Sequence, residues 1–178
     1  MSDVEYLLAR LELSDAMATY CRGVDRGDAE LMASIFHADA DVSHGLHART
    51  HADDPAYTSF TFFHHHVANQ VVEIVGDVAA TETYLIAVQG FVLDGVEYDM
   101  HVKARYLDRW ERRGGPFKVA YRRVVWDWVR TEPSSPTWPD GASIHWAGNR
   151  VMRDDLRWGS RSRDDESYSL FREVAGAR

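Results

Sequence analysis

An aspartate and a histidine, far apart in this 178-residue sequence, are the strongest candidates for chemistry. Asp25 stands in YCRGVDRGD, and His65 is the middle histidine of FTFFHHHVANQ. Histidine is the usual general base near neutral pH, and a buried carboxylate on its other ring nitrogen fixes the tautomer and stabilises the imidazolium. By position alone, Asp25 is also typical of a turn or cap, and His65 of a half-buried strand residue.

The three successive histidines are expected to divide between the two faces of a strand. Because side chains alternate along a strand, His64 and His66 share one face, and His65 takes the other face together with Asn69. The three histidines of such a strand therefore cannot close on one metal ion.

An arginine on an aromatic strand face is the third candidate. In KVAYRRVVWDW, alternation gives Arg122 the same face as Trp126 and Trp128. Burying an unpaired guanidinium is unfavourable, so this side chain needs a partner. Two interpretations stay open: a structural ion pair with an aspartate or glutamate, and a cation held ready for an anion or a carbonyl.

Metal and cofactor chemistry have weaker support. The spacing of His44, His47 and His51 suggests zinc, but no cysteine, clear fourth ligand or HExxH motif accompanies it. Cys21 lies in a helical pattern without an adjacent base, which favours core packing over nucleophilic catalysis. The sequence has no Gly-rich phosphate loop, dinucleotide fingerprint or GxSxG elbow. We therefore expect neither a metal nor an organic cofactor.

Composition restricts the possible partners and the cellular location. The net charge of −8 and the interruption of the densest basic stretch by Glu111 disfavour nucleic-acid binding. The first residues include early acids and no long apolar run, so they do not resemble a signal peptide, and no stretch approaches a membrane span. A single cysteine leaves no internal disulfide. These features predict a cytoplasmic protein.

The elements that must position these residues divide into helices first and strands second. Ser2 and Asp3 are typical N-cap residues for a helix over about 3–23, and Asp28 is typical of the cap of a short second helix. Residues 41–45 predict a short strand and residues 53–62 a third helix. Runs rich in Val, Ile, Tyr and Trp, separated by turn dipeptides, predict an antiparallel meander at 64–75, 78–92, 96–110 and 117–130. This order indicates an α+β domain.

Together these motifs resemble the SnoaL-like domains of the nuclear transport factor 2-like superfamily. The resemblance rests on YxxxxD at the end of the first helix, HxxxN in the first long strand and RRVVxDW in the last, and it spans about residues 3–130. It implies a cone-shaped fold, in which a curved mixed or antiparallel sheet carries the N-terminal helices on its concave face. We treat residues 1–178 as one domain with a C-terminal extension over 131–178.

The resemblance also implies roles for individual residues. Lindane dehydrochlorinase and the bile acid dehydratases of this superfamily have an Asp–His pair that matches Asp25 and His65, and the dehydrochlorinase has a pocket arginine that matches Arg122. The dehydratases carry a tyrosine five residues before the aspartate, as Tyr20 stands here. Scytalone dehydratase shares the theme with different details. The implied roles are His65 as base, Asp25 as its orienting partner, and Tyr20 and Arg122 as polarising or protonating groups. The implied substrate contacts are Val24, Asn69, Trp126 and Trp128.

The function that follows from the resemblance is a cofactor-free lyase or isomerase of the dehydratase type. Its substrate would be a small cyclic apolar molecule such as a steroid or a polyketide. The alternative is a non-catalytic ligand-binding or assembly domain, which predicts a filled pocket and Asp25 in a structural ion pair with Arg122 or Arg22. This family usually forms dimers or trimers, so a homo-oligomer is expected, without nucleic-acid or membrane partners.

Overall fold

The computed structural model describes residues 2–43, 60–135 and 143–176. Two helices come first, five strands follow, and a small hairpin and a last helix end the described chain. The elements are α1 (Asp3–Arg26), α2 (Ala29–Ala33), β1 (Phe36–Ser43), β2 (Phe60–Val75), β3 (Val78–Leu93), β4 (Val96–Arg112), β5 (Phe117–Pro133), β6 (Ser143–Trp146), β7 (Asn149–Met152) and α3 (Glu166–Gly176).

Helix α1 begins and ends with local signals that the sequence carries. Ser2 Oγ accepts a hydrogen bond from the Glu5 backbone N–H, and the Glu5 carboxylate accepts one from the Ser2 N–H, which forms a capping box. The helix ends at Gly27, whose φ of 64° is left-handed. The predicted end at residue 23 was therefore three residues early. Gly23 marks close packing instead, because a Cβ there would lie 2.7 Å from the Met32 backbone nitrogen.

The main sheet has the order β1-β5-β4-β3-β2. Strand β1 pairs with β5 in parallel, and the other pairs are antiparallel, so the sheet is mixed as predicted. The hairpin between β3 and β4 turns at Asp94 and Gly95, which both have positive φ, as a two-residue type I′ turn requires. The predicted 64–75 strand begins earlier, at Phe60, so residues 60–62 are not helical. The described residues do not include 53–59 of the predicted third helix or 44–45 of the predicted short strand.

Helix α1 packs on one face of this curved, open sheet, which we call the inner face, and the opposite side is the outer face. The core consists of buried side chains of α1 and of the inner face, among them Leu13, Met17, Val72, Trp110 and Val119. An α+β cone with its helix on the concave side confirms the predicted fold class. No helix in the described parts of the chain is both long and apolar enough to span a membrane.

Register shifts interrupt the alternation of side chains in two long strands, β2 and β5. One extra residue stands in β2 between Val67 and Gln70, one in β5 between Trp126 and Trp128, and another in β5 at Ala120. Each such bulge bends the strand and transfers the following side chains to the other face. The bulges therefore curve the sheet around α1 and decide which residues face it.

Candidate active site

Asp25 and His65 meet inside the cone. Asp25 lies in the last turn of α1 and His65 lies on the inner face of β2. The His65 Nδ1 and the Asp25 Oδ1 are 2.6 Å apart, and the His65 backbone N–H donates to Asp25 Oδ2 over 3.1 Å. One carboxylate thus holds both the ring and the backbone of the histidine. Only 4% of the His65 side chain and 12% of the Asp25 side chain are exposed.

The contacts around the imidazole fix its plane and its tautomer. The ring of Phe63 stacks on the ring of His65 with 5.3 Å between centroids and an angle of 4°. An ionised carboxylate can only accept hydrogen bonds, so Nδ1 carries the proton whenever Asp25 is charged. In the neutral imidazole the Nε2 atom then keeps its lone pair and can accept a hydrogen bond or a proton. This arrangement can accept a proton from a bound molecule and stabilise the resulting imidazolium.

The hydroxyl of Tyr106 lies 3.5 Å from His65 Nε2. Tyr106 is a buried inner-face residue of β4, between Ala104 and Asp108. Sequence reasoning missed this residue, although alternation through the predicted 96–110 strand indicates an apolar or aromatic face at its even positions. A tyrosine hydroxyl there can donate a hydrogen bond to an oxygen of a molecule bound beside His65.

A cavity of about 250 Å³ opens at the Asp25–His65 pair. Its lining comes from one face of α1 and from β2, and consists of Ala18, Cys21, Arg22, Asp25, Arg26, His65 and Val67. Cys21 is itself buried, and burial raises the pKa of its thiol to about 12. The thiol is therefore neutral at physiological pH, in keeping with the prediction of a packing role.

Arg122 pairs with Asp108 instead of lining this cavity. Its Nε and Nη2 donate to the two oxygens of Asp108 over 2.6 and 2.7 Å, and both side chains are fully buried. The rings of Tyr20, Phe36 and Tyr106 surround the guanidinium, with centroids 4.3–5.1 Å from its carbon. Burial alone would lower the pKa of Arg122, but the adjacent carboxylate raises it above its ordinary value, so the guanidinium stays charged.

Tyr20 and Val24 are core residues in the described structure. Both are fully buried, and neither lines the cavity at Asp25. The Tyr20 ring contacts the edges of Phe36 and Tyr106, with centroids 5.6 and 5.9 Å away. Tyr20 therefore contacts Tyr106, whose hydroxyl in turn lies beside His65.

The bulges move two residues, Asn69 and Trp128, away from the faces that they were predicted to share with His65 and Arg122. Trp126 stays on the inner face, paired with Ala104, but Trp128 follows the bulge and pairs with Lys103 on the outer face. Likewise Asn69 is exposed at the β2 bulge, and Gln70 takes the inward position opposite Thr83. The predictions that Asn69 and Trp128 share those faces were wrong for this reason.

The other histidines behave as strand alternation predicted where the structure describes them. The rings of His64 and His66 lie together on the outer face, 4.5 Å apart, while His65 faces inward. Across residues 2–43, 60–135 and 143–176, no group of three or more His, Cys, Asp or Glu side chains could hold a metal ion. The candidate zinc residues His44, His47 and His51 lie outside the described residues.

Residues 160–171, which we call the C-terminal strap, cover the helix end that carries Asp25. Arg163 and the Tyr168 hydroxyl both donate to the carboxylate of Asp28, which also caps α2. Arg26 reaches Asp165 over 3.4 Å. Hydrogen bonding by Arg163, with help from Tyr168, lowers the pKa of Asp28 from 3.8 to about 2. The strap thus fixes the junction between α1 and α2 through a charged aspartate.

This attachment is expected to weaken in acid. A group with a lowered pKa contributes stability above its ordinary pKa and loses it as the pH falls through the folded value, here from about 4 towards 2. Asn is as good an N-cap as Asp, so Asp28→Asn isolates the strap contacts and should cost about 1 kcal/mol at pH 7. Melting temperatures of both proteins between pH 7 and 3 should converge; a constant difference would contradict this assignment.

The curved, open sheet that packs around α1 defines an α+β protein of the nuclear transport factor 2-like fold. The family model of the SnoaL-like domain matches residues 5–123, so the chain belongs to the SnoaL-like family. This confirms the resemblance that the sequence motifs indicated. No curated protein sequence matches the chain.

Solved structures of the same fold include dehydrochlorinases. The chain superposes on a hexachlorocyclohexane dehydrochlorinase (LinA) of type 2 with a TM-score of 0.70 and 20% identity, over 79% of this chain and 100% of that one. The type 3 enzyme from Novosphingobium barchaimii gives 0.69 and 20%, over 78% and 99%. A candidate scytalone dehydratase from Novosphingobium aromaticivorans gives 0.64 and 20%, over 81% and 100%. At these identities the likeness shows the fold alone.

Proposed function

We propose that this protein is a cofactor-free lyase or isomerase of the dehydratase type, which removes a proton from a small cyclic, mostly apolar molecule. The observation that carries the proposal is the 2.6 Å hydrogen bond between Asp25 and His65 Nδ1 beside a cavity. The dehydrochlorinase and dehydratase names of the structural neighbours agree with elimination chemistry.

In the proposed reaction, His65 Nε2 takes a proton from a carbon next to a carbonyl group. The electron pair of the broken C–H bond moves into the enolate, and from there it forms a C=C bond as a leaving group departs from the β-carbon. Asp25 stabilises the imidazolium, and the Tyr106 hydroxyl lies near enough to donate to the oxygen that gains charge. The Arg122–Asp108 pair lies behind the rings of Tyr20 and Tyr106, so we expect any effect of Arg122 on the reaction to pass through Tyr106.

The rival assembly function has less support from the contacts. It requires Asp25 to be neutralised by an arginine, but Asp25 pairs with His65, and Arg122 pairs with Asp108. A carboxylate on one ring nitrogen of a histidine is the arrangement that orients the other ring nitrogen for proton transfer.

Proton exchange tests the proposal without knowledge of the natural substrate. Cyclic ketones, with and without a hydroxyl or chloride on the β-carbon, are incubated with the protein in D₂O and followed by ¹H NMR. We expect protein-dependent exchange of α-hydrogens, or formation of an alkene, for at least one member. If no compound exchanges, and none raises the melting temperature, the lyase proposal fails and a binding or assembly domain becomes the better account.

We further propose that copies of the chain associate through the outer face of the sheet. This face carries exposed Val71, Tyr84, Ile86 and Trp128, an apolar set that a single copy leaves in water. Light scattering should give a mass above the 20.3 kDa of one chain. A monomer at micromolar concentration would contradict the association.

A further inference from the structure

The cavity beside the Asp25–His65 pair has a cationic side. Asp25 and Arg26 follow Arg22 by three and four residues on α1, so the three side chains lie on one side of the helix. All three line the cavity together with His65. Two guanidinium groups therefore stand within one helical turn of the carboxylate that orients the histidine. Their charge is notable in a chain whose net charge is −8.

Arg22 differs from most arginines of the described chain because no carboxylate within the described residues pairs with it. Close ion pairs with aspartates are formed by buried Arg122, by half-buried Arg105 and Arg123, and by exposed Arg113. Arg22 has instead a long hydrogen bond of 3.4 Å from Nη2 to the Ser167 hydroxyl.

Two aromatic rings of the C-terminal strap form cation–π contacts with the Arg22 guanidinium. The rings of Tyr168 and Phe171 lie 4.6 and 4.3 Å from its central carbon. A cation–π contact depends on the charge of the guanidinium and does not by itself occupy its N–H donors. The strap therefore contacts a half-buried cation at the cavity and uses only one of its N–H donors, in the long hydrogen bond to Ser167.

The two carboxylates beside these arginines are engaged by other groups, so Arg22 pairs with neither of them. The Asp25 carboxylate is already engaged by the ring and backbone of His65, and Asp165 is held by Ser160 and Ser167 and lies 3.4 Å from Arg26. A planar carboxylate matches the paired donors of an arginine edge better than any neutral group. The apolar side chains of Ala18 and Val67 line the same cavity and suit a hydrocarbon body.

We propose that Arg22, assisted by Arg26, binds a carboxylate on the molecule that the Asp25–His65 pair acts on, so that the substrate is an apolar ring carrying one carboxylate. This inference rests on the proposed function, because it names the substrate class of the same site. The strap supplies the aromatic rings that contact Arg22 and is thereby part of substrate recognition.

Matched acid and amide pairs test the proposal by binding alone. The probes are benzoate, cyclohexanecarboxylate and 2-naphthoate, each compared with its carboxamide by calorimetry at pH 7.5. A charge-assisted pair should make the best acid at least about tenfold tighter than its amide in the wild-type protein. Arg22→Gln should abolish that preference, and Arg22→Lys, which keeps the charge, should retain part of it. Arg10→Gln is the matched control, since Arg10 lies on the same helix over the Tyr6 ring and outside the cavity.

Two results would overturn the carboxylate site. One is equal affinity of acid and amide in the wild-type protein for every pair, including undetectable binding of all six probes. The other is an acid preference that survives in a folded Arg22→Gln protein. Failure of the carboxylate site can be distinguished from failure of the lyase proposal. Binding of the acids needs no turnover. Exchange of the α-hydrogens of neutral cyclic ketones needs no Arg22. Loss of exchange with intact acid preference would reject only the reaction.

Discussion

Replacing His65 by Ala is expected to reduce turnover of any substrate found in the exchange assay by about 10²–10⁴-fold, the usual contribution of a positioned general base. The fold should survive, because the imidazole makes one close side-chain hydrogen bond, to Asp25, and the Asp25 carboxylate keeps its bond from the residue 65 backbone N–H. The comparison is made on kcat at saturating substrate, with the melting temperature as the check on folding. His64→Ala is the matched control, because His64 is the preceding residue of the same strand and faces outward.

Asp25→Asn is expected to be nearly as damaging, for a different reason. The Asn side chain can donate to His65 Nδ1, and the ring proton then moves to Nε2, the atom that must accept the substrate proton. Long-range ¹H–¹⁵N NMR of the histidine rings reads this tautomer without any substrate. We expect a proton on Nδ1 in the wild-type protein and on Nε2 in the variant. An unchanged tautomer, or His65→Ala activity near that of His64→Ala, would refute the proton-transfer role.

The fold was largely predictable because its signals are local. The capping residue Ser2, the Asp94–Gly95 turn and the β-rich runs each specify their element within a few residues. The same locality made Asp25 and His65 recognisable, since each lies in a motif of its own. The distance between them could not be predicted from the sequence, as it depends on how β2 packs against the end of α1.

Asn69 and Trp128 were assigned to the wrong faces for one physical reason. Alternation along a strand is a local rule, whereas a bulge depends on the register with the neighbouring strand. Asn69 and Trp128 stand at or just beyond bulges, so their faces depend on the pairings Gln70–Thr83 and Lys103–Trp128. Tyr106 lies in a segment of β4 without a bulge, and it was missed because nothing in its motif points to chemistry.

The strap could not be predicted either, because its contacts join distant parts of the chain. Arg163 and Tyr168 reach Asp28 across 135 and 140 residues. In the sequence this segment is a polar tail. The role of its polar side chains follows only from their contacts with the α1–α2 junction. Its proximity to Arg22 makes the C-terminal extension part of the candidate site.

The buried Arg122–Asp108 pair gives the largest expected effect on stability. Removing one partner, as in Arg122→Met or Asp108→Leu, should cost about 3–5 kcal/mol, because the remaining group is left without its partner in the core. Removing both, as in Arg122→Met with Asp108→Leu, should recover most of that loss, because no uncompensated charge remains. Urea unfolding of the four proteins in a double-mutant cycle measures the coupling. Additive losses would show that the pair is not a unit.

The folded double variant also decides between the two interpretations of Arg122. The Nη1 of Arg122 has no hydrogen-bond partner among the described residues, and the guanidinium lies 4.3 Å from the centroid of the Tyr106 ring, whose hydroxyl faces His65. If the charge of Arg122 supports enolate formation, the double variant should be stable yet lose at least about tenfold in kcat, since a preorganised donor or charge is worth a few kcal/mol of barrier. If the pair is only structural, kcat should return with stability. Measuring both quantities on one protein separates an effect on the fold from an effect on the reaction.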